Sequence, residues 1–328
     1  MGLDNTVIQY RKLGNSGLLT APLVAGGLGF GWTADERTSF EVLDALIAGG
    51  VTMIDTADLY FAYAPGGVGG ESETIIGKWL KSRGNRDKVQ IATKVGIFKV
   101  DGKNGLGQSV IESAIDKSLM RLQTDYVDLY YAHCDDENTP QEETLHAFDR
   151  LMKAGKIKAL GASSFTQQRL ETALEIANRD SLVPYSVIQP WFNLMEKEKF
   201  PEEYRYYCLD HDIGVLPFYG LAEGFLTGKF RTIAEAKMSE RGSFAPTRYF
   251  NSRGEAVLAA LDIVARETGA VPAQIALAWL IATPGITAPI AGANTVEEAE
   301  IMISAMHLSL CEDHLSLLNS AADTAITV

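Results

Sequence analysis

Short apolar, β-branched runs alternate along this chain with longer stretches of helical periodicity. The runs fall at residues 23–28, 51–55, 89–95, 126–133, 157–163, 186–191, 214–219 and 287–292. Helical patterns lie between them, at 36–49, 72–83, 110–122, 140–155 and 167–178, with others further on. Alternating strands and helices require crossover connections, and crossovers make neighbouring strands parallel. Parallel strands covered on both faces read as continuous apolar runs, as these do. Eight such units predict an α/β fold, a closed (β/α)8 TIM barrel rather than an open doubly wound sheet. The glycine clusters at 26–31 and 65–70 do not spell G-x-G-x-x-G, the phosphate-binding turn of the open sheet. Ahead of the first run, residues 9–23 read as a β-hairpin turning at Asn15-Ser16-Gly17 and plugging the N-terminal end of the barrel. A long irregular insertion, roughly 220–254, follows the seventh strand. No linker or repeat divides the chain, so residues 1–328 are expected to form a single domain.

Composition narrows the choice of function. The chain has 328 residues, 46% of them hydrophobic, and a net charge of −13. That is enough apolar material for a large core. The acidic balance, with no basic run, disfavours nucleic acid. No apolar run reaches the ~18 residues of a membrane span. Cys134, Cys208 and Cys311 are scattered and fit no metal spacing. With no apolar core near the N-terminus, this predicts a cytoplasmic protein with no metal. Gly2 and Thr6 match the short myristoylation pattern, which carries little information at six residues. The expected state is a monomer or small homo-oligomer.

In an α/β barrel the chemistry sits at the C-terminal strand ends. Asp55 ends the second expected strand, and Tyr60 follows in its loop. Lys94 lies inside the end of the third, and His133 ends the fourth. A lysine inside an apolar strand is unusual, because charges are rarely buried unpaired. Its plain reading is a structural ion pair. Beside Asp55 and Tyr60 it gains another. An Asp55–Lys94 pair would keep the ammonium charged, and that charge would lower the phenol pKa of Tyr60 and favour proton donation.

These residues and their setting resemble the aldo-keto reductase family. The resemblance runs through IDTADLY (54–60), ESETIIGKWL (71–80), ATKVG (92–96), VDLYYAH (127–133), AFDRLMKAGKIKALGASSF (147–165), the Gln189 strand and AEGFLTGKF (222–230). It implies a barrel that binds a nicotinamide dinucleotide across its mouth and transfers hydride to or from a small-molecule carbonyl or alcohol. By motif match, Asp55, Tyr60, Lys94 and His133 look like the catalytic tetrad. Ser163, Ser164 and Gln189 look like nicotinamide contacts, and Phe218 like the ring stacked on it. Leu221, Glu223 and Lys229 fall in the pyrophosphate segment. Gly292, Asn294 and Glu298 fall at the adenosine end.

Family resemblance favours NADP(H). Glu298, acidic where relatives often carry a basic residue or glutamine, points toward NAD(H), unless Arg231 and Arg241 clamp a 2′-phosphate or Glu298 is a solvated helix residue pointing away. Trp32, Tyr63, Trp191 and Phe192 are candidate substrate walls. Cys134 reads as a packing residue. The competing functions are a cofactor-binding redox-sensing subunit of a larger complex and a metal-dependent barrel enzyme. The latter needs several metal-ligating side chains at the strand ends, where His133 is the only histidine.

Overall fold

A computed structural model describes residues 8–238 and 247–326. Gly2, Thr6 and Arg241 lie outside the described residues, as does part of the insertion. The strands are β1 (Arg11–Lys12), β2 (Leu19–Thr20), β3 (Val24–Gly26), β4 (Met53–Asp55), β5 (Gln90–Val95), β6 (Leu129–Ala132), β7 (Leu160–Ser163), β8 (Val187–Gln189), β9 (Gly214–Val215) and β10 (Ile290–Ala291). The last eight form one parallel sheet in the order β10-β3-β4-β5-β6-β7-β8-β9. Its two edges meet: the Thr287 N–H donates to Val215 O at 2.9 Å and the Ile290 N–H to Pro217 O at 2.9 Å. The result is the expected eight-stranded barrel, and each strand falls inside its expected run.

Side-chain alternation along each strand sorts the barrel into two compartments. Met53, Ala92 and Leu129 point inward and pack with Val24, Val187, Leu216 and Ala288. Ile54 and Tyr130 point outward into the core shared with the helices. One step further up from the inward layer stand Asp55, Lys94 and Tyr131, with Lys94 and Tyr131 opposite each other in register. Gly161 on β7 makes room for that layer, since a Cβ there would lie 2.4 Å from the Tyr131 ring.

The expected hairpin is present, with Arg11 paired to Thr20. Its Leu13 is fully buried in the inward cluster, so the hairpin closes the lower end of the barrel. Helices α1 (Glu36–Ala48), α2 (Glu71–Arg83), α3 (Gln108–Leu122), α4 (Gln141–Lys153) and α5 (Gln167–Asp180) follow the first five barrel strands, and α6 (Glu202–Asp210) the sixth. Their starts are set locally. Asp35 caps α1 by accepting from the Thr38 N–H at 2.8 Å, as N-terminal aspartates do. The insertion is less irregular than its composition implies. It contains a short helix, α7 (Ile233–Lys237), stabilised by a capping box of Thr232 and Glu235. Helices α8 (Ser252–Thr268), α9 (Pro272–Ala282), α10 (Val296–Ala305) and α11 (Glu312–Ala322) complete the described chain. No described helix is long and apolar enough to cross a membrane.

Candidate active site

The upper barrel layer brings together the four residues singled out from sequence. The Lys94 ammonium, fully buried, donates to Asp55 Oδ1 at 2.5 Å, to Thr56 O at 2.8 Å and to the Tyr60 hydroxyl at 2.9 Å. Asp55 Oδ2 accepts from Gln189 Nε2 at 2.9 Å, and Oδ1 lies 3.5 Å from the Tyr60 oxygen. The His133 ring meets the Tyr60 ring edge-on, with centroids 6.4 Å apart. Strand ends supply Asp55, Lys94 and Gln189. Tyr60 comes back over them because the Thr56–Tyr60 segment turns tightly, the Tyr60 N–H reaching Ala57 O.

Charge follows from this geometry. Burial lowers the Lys94 pKa, and the Asp55 carboxylate beside it works against that loss. The Tyr60 phenol departs from the expected direction. Burial raises its pKa well above the ordinary value, and Asp55 and Tyr219 add to the rise. The lysine charge is shared with Asp55 at 2.5 Å, so its pull does not outweigh desolvation and a nearby carboxylate. Burial also holds the His133 pKa well below 6.5, with Lys94 acting in the same direction, so the imidazole is neutral. His133 Nδ1 is buried without a partner.

Around this centre the mouth has an aromatic side. Trp191 packs against Phe218 at 5.9 Å and Tyr219 at 5.2 Å between ring centroids. Lys199 and Arg248 lie over the Trp191 ring at 4.2 and 4.9 Å. Trp32 and Tyr63 form a separate edge-on pair at 5.7 Å. Phe192 does not belong here. It is buried and stacked on Trp279 at 5.5 Å, among the packing outside the barrel.

Ser163 is buried at the end of β7, in register with Gln189 on β8. Ser164 is exposed with φ of +58°, a conformation in which asparagine is the commoner non-glycine residue. After β9 the backbone turns through positive φ at Tyr219, Ala222, Glu223 and Gly224, an unusual run for a chain with side chains. Leu221 is half-buried within it. Glu223 pairs with Arg248 at 3.0 Å, a residue hidden from sequence reading inside the insertion.

At the other end of the mouth, Glu298 does not point into solvent. Its Oε2 accepts from the Asn294 N–H at 2.8 Å and from Asn294 Nδ2 at 3.2 Å, and its Oε1 lies 3.8 Å from Lys229 Nζ. Asn294 Oδ1 in turn accepts from Thr33 Oγ1 at 2.5 Å. Gly292 is exposed at the turn leaving β10. Arg231 is held by Asp262 through two hydrogen bonds, at 2.9 and 2.8 Å. Among the described residues no group of three or more His, Cys, Asp or Glu side chains is arranged to hold a metal ion.

Comparison with known proteins agrees with the barrel. The family model of the aldo/keto reductase family matches residues 22–323. The chain is 33% identical over 324 residues, 95% of each chain, to an uncharacterized oxidoreductase, YrpG, of Bacillus subtilis. It is 30% identical to the aldo-keto reductase YhdN of the same organism, covering 98% of this chain and 95% of that one. A probable voltage-gated potassium channel subunit beta from rice (Oryza sativa subsp. japonica) is 31% identical over 88% of each chain. The chain belongs to the aldo/keto reductase family, whose members reduce carbonyls with NAD(P)H.

Proposed function

We propose that this protein reduces the carbonyl of an aldehyde, ketone or sugar, with Tyr60 as proton donor. The observation that carries this reading is the Tyr60 hydroxyl, 2.9 Å from an ammonium that is itself bound to a buried carboxylate. Burial keeps the phenol protonated, as a donor must be before it acts. Lys94 then stands ready at the oxygen that becomes negative as the proton leaves, which is where fixed charge accelerates a step most. Neutral His133 offers a ring nitrogen to the carbonyl oxygen beside Tyr60. A bound reduced nicotinamide dinucleotide supplies the hydride.

The residues at the mouth suit such a cofactor. Gln189 uses Nε2 on Asp55, so its Oε1 is the atom left to accept from a carboxamide, next to Ser163. The Phe218 ring offers a stacking face. The positive-φ turn at Leu221–Gly224 suits close approach of a ligand to backbone, and Ser164, Gly292 and Asn294 line the same mouth. At the adenosine end, the family resemblance favours NADP(H), but the side chains favour NAD(H). Lys229 faces Glu298, and Arg231, the described arginine of the expected clamp, is held by Asp262, so both of these cations are already paired with acids. A carboxylate there repels a 2′-phosphate and can accept from a ribose hydroxyl.

Trp32, Tyr63 and Trp191 are the proposed substrate walls, and the proposed setting is the cytoplasm. The channel-subunit relatives favour a second reading, a cofactor-binding redox-sensing subunit, which predicts slow turnover and a copurifying partner. A screen of aldehydes, ketones and alcohols by nicotinamide absorbance, with both cofactors, tests the proposal. Turnover of at least one carbonyl class supports it. No turnover of any, with tight cofactor retention, supports the second reading instead.

A further inference from the structure

The segment between Asp55 and Tyr60 carries a second acid, Asp58, which the chemistry above does not use. It is 1% exposed, and no side chain among the described residues donates to either carboxyl oxygen. The contrast with its neighbour is informative. Glu73 on α2 is equally buried but satisfied, accepting from Thr93 Oγ1 at 2.6 Å and pairing with Arg121 of α3 at 2.6 Å. Buried carboxyls without partners are rare because an unpaired anion in low dielectric is costly. Asp58 is moreover tied to the site by the chain itself. It lies two residues from Tyr60, in the segment whose Thr56 carbonyl accepts from Lys94.

We propose that Asp58 is a positioning residue for proton transfer at Tyr60, acting through the charge of Lys94. The inference rests on the reading of Tyr60 as the proton donor. The groups facing Asp58 come from every element around it. Glu73 from α2 opposes its negative charge; Arg121 from α3, Lys94 from β5 and the Leu59 N–H of its own segment favour it. The Tyr130 hydroxyl from β6, also without a partner, is a further titratable neighbour. Burial and Glu73 dominate, and the carboxyl is pushed up to about 8. Below that pH Asp58 is neutral, and Lys94 acts on Asp55 and Tyr60 alone. Above it a new anion appears within electrostatic reach of the lysine, takes up part of its charge and makes the Tyr60 phenolate harder to form.

In the oxidative direction Tyr60 must accept a proton, so activity rises with pH as the phenol ionises. Asp58→Asn keeps the shape of the neutral carboxyl and removes the late anion. The midpoint of that alkaline rise in kcat/KM should move down, by about one pH unit for a charge of this kind. A purely structural role would change rates or melting without moving the midpoint. A midpoint equal to that of wild type overturns the proposal. Carboxyl-carbon NMR of wild-type protein labelled with 13C-aspartate gives a check that needs no variant. One aspartate should titrate near pH 8, and the absence of any such titration also overturns it. Tyr60→Phe in the same assays separates the two claims. If that variant turns over normally, the reading of Tyr60 fails. If it is inactive while the Asp58→Asn midpoint is unmoved, only the role of Asp58 fails.

Discussion

Removing Asp55 should cost both stability and turnover, and for one reason. Asp55→Ala leaves the fully buried Lys94 ammonium with only Thr56 O and the Tyr60 hydroxyl, and takes the acceptor from Gln189 Nε2. Breaking a buried ion pair from one side typically costs ~3–5 kcal/mol, because it strands the other charge. For a chain of 328 residues the unfolding entropy is about 0.7 kcal/mol/K, so the expected fall in Tm is about 4–7 °C. The lysine meets this cost by giving up its proton, which also removes the cation from Tyr60. Carbonyl reduction should then fall by about 10²-fold or more. The double variant Asp55→Ala/Lys94→Met removes both charges. It should recover much of the lost stability and none of the activity. Melting curves and initial rates on the four proteins of the cycle measure both. If the double variant melts no higher than Asp55→Ala, the pair is not a coupled buried charge and the reasoning fails.

Other consequences can be checked separately. Glu298→Arg frees Lys229 and adds a cation beside Asn294. The ratio of NADH to NADPH affinity, read from cofactor fluorescence, should shift toward NADPH by at least about tenfold; an unchanged ratio would remove Glu298 from the adenosine site. His133 has a pKa held well below 6.5 in the folded protein. Its contribution to stability is therefore complete above pH 6.5 and lost as pH falls below it, since the unfolded chain binds the proton more readily. Reduction should accordingly show no imidazole midpoint near 6.5; a limb there that His133→Gln abolishes would mean the ring is charged in the site.

Much of this was legible in the sequence, for identifiable physical reasons. All eight barrel strands were visible because strands buried on both faces must be apolar throughout. Lys94 stood out against that background, as a charge inside β5. Asp55 and His133 followed from their place at expected strand ends, and Tyr60 from the loop just after Asp55. The acidity of Tyr60 runs opposite to the direction expected from sequence. Sequence shows which groups share a neighbourhood, but not that Lys94 lies closer to Asp55 than to the phenol, nor how dry the site is. Asp58 and Glu73 were hidden in plain motifs, since only the fold shows one satisfied and the other unpartnered. Arg248 could not be read because its role depends on how the insertion folds back onto Trp191 and Glu223. Phe192 departs from the expected substrate wall for a related reason. It sits beside Trp191 in sequence, but successive side chains leaving a strand face opposite ways.

The central claim is that Tyr60 gives the proton while the rest of the site holds the cofactor. The most direct test is single-turnover reduction by Tyr60→Phe, paired with cofactor titration of the same sample. The account predicts cofactor affinity within about threefold of wild type and reduction slowed by about 10²–10⁴-fold, the usual worth of a general acid. Reduction at the wild-type rate with intact cofactor binding would contradict it.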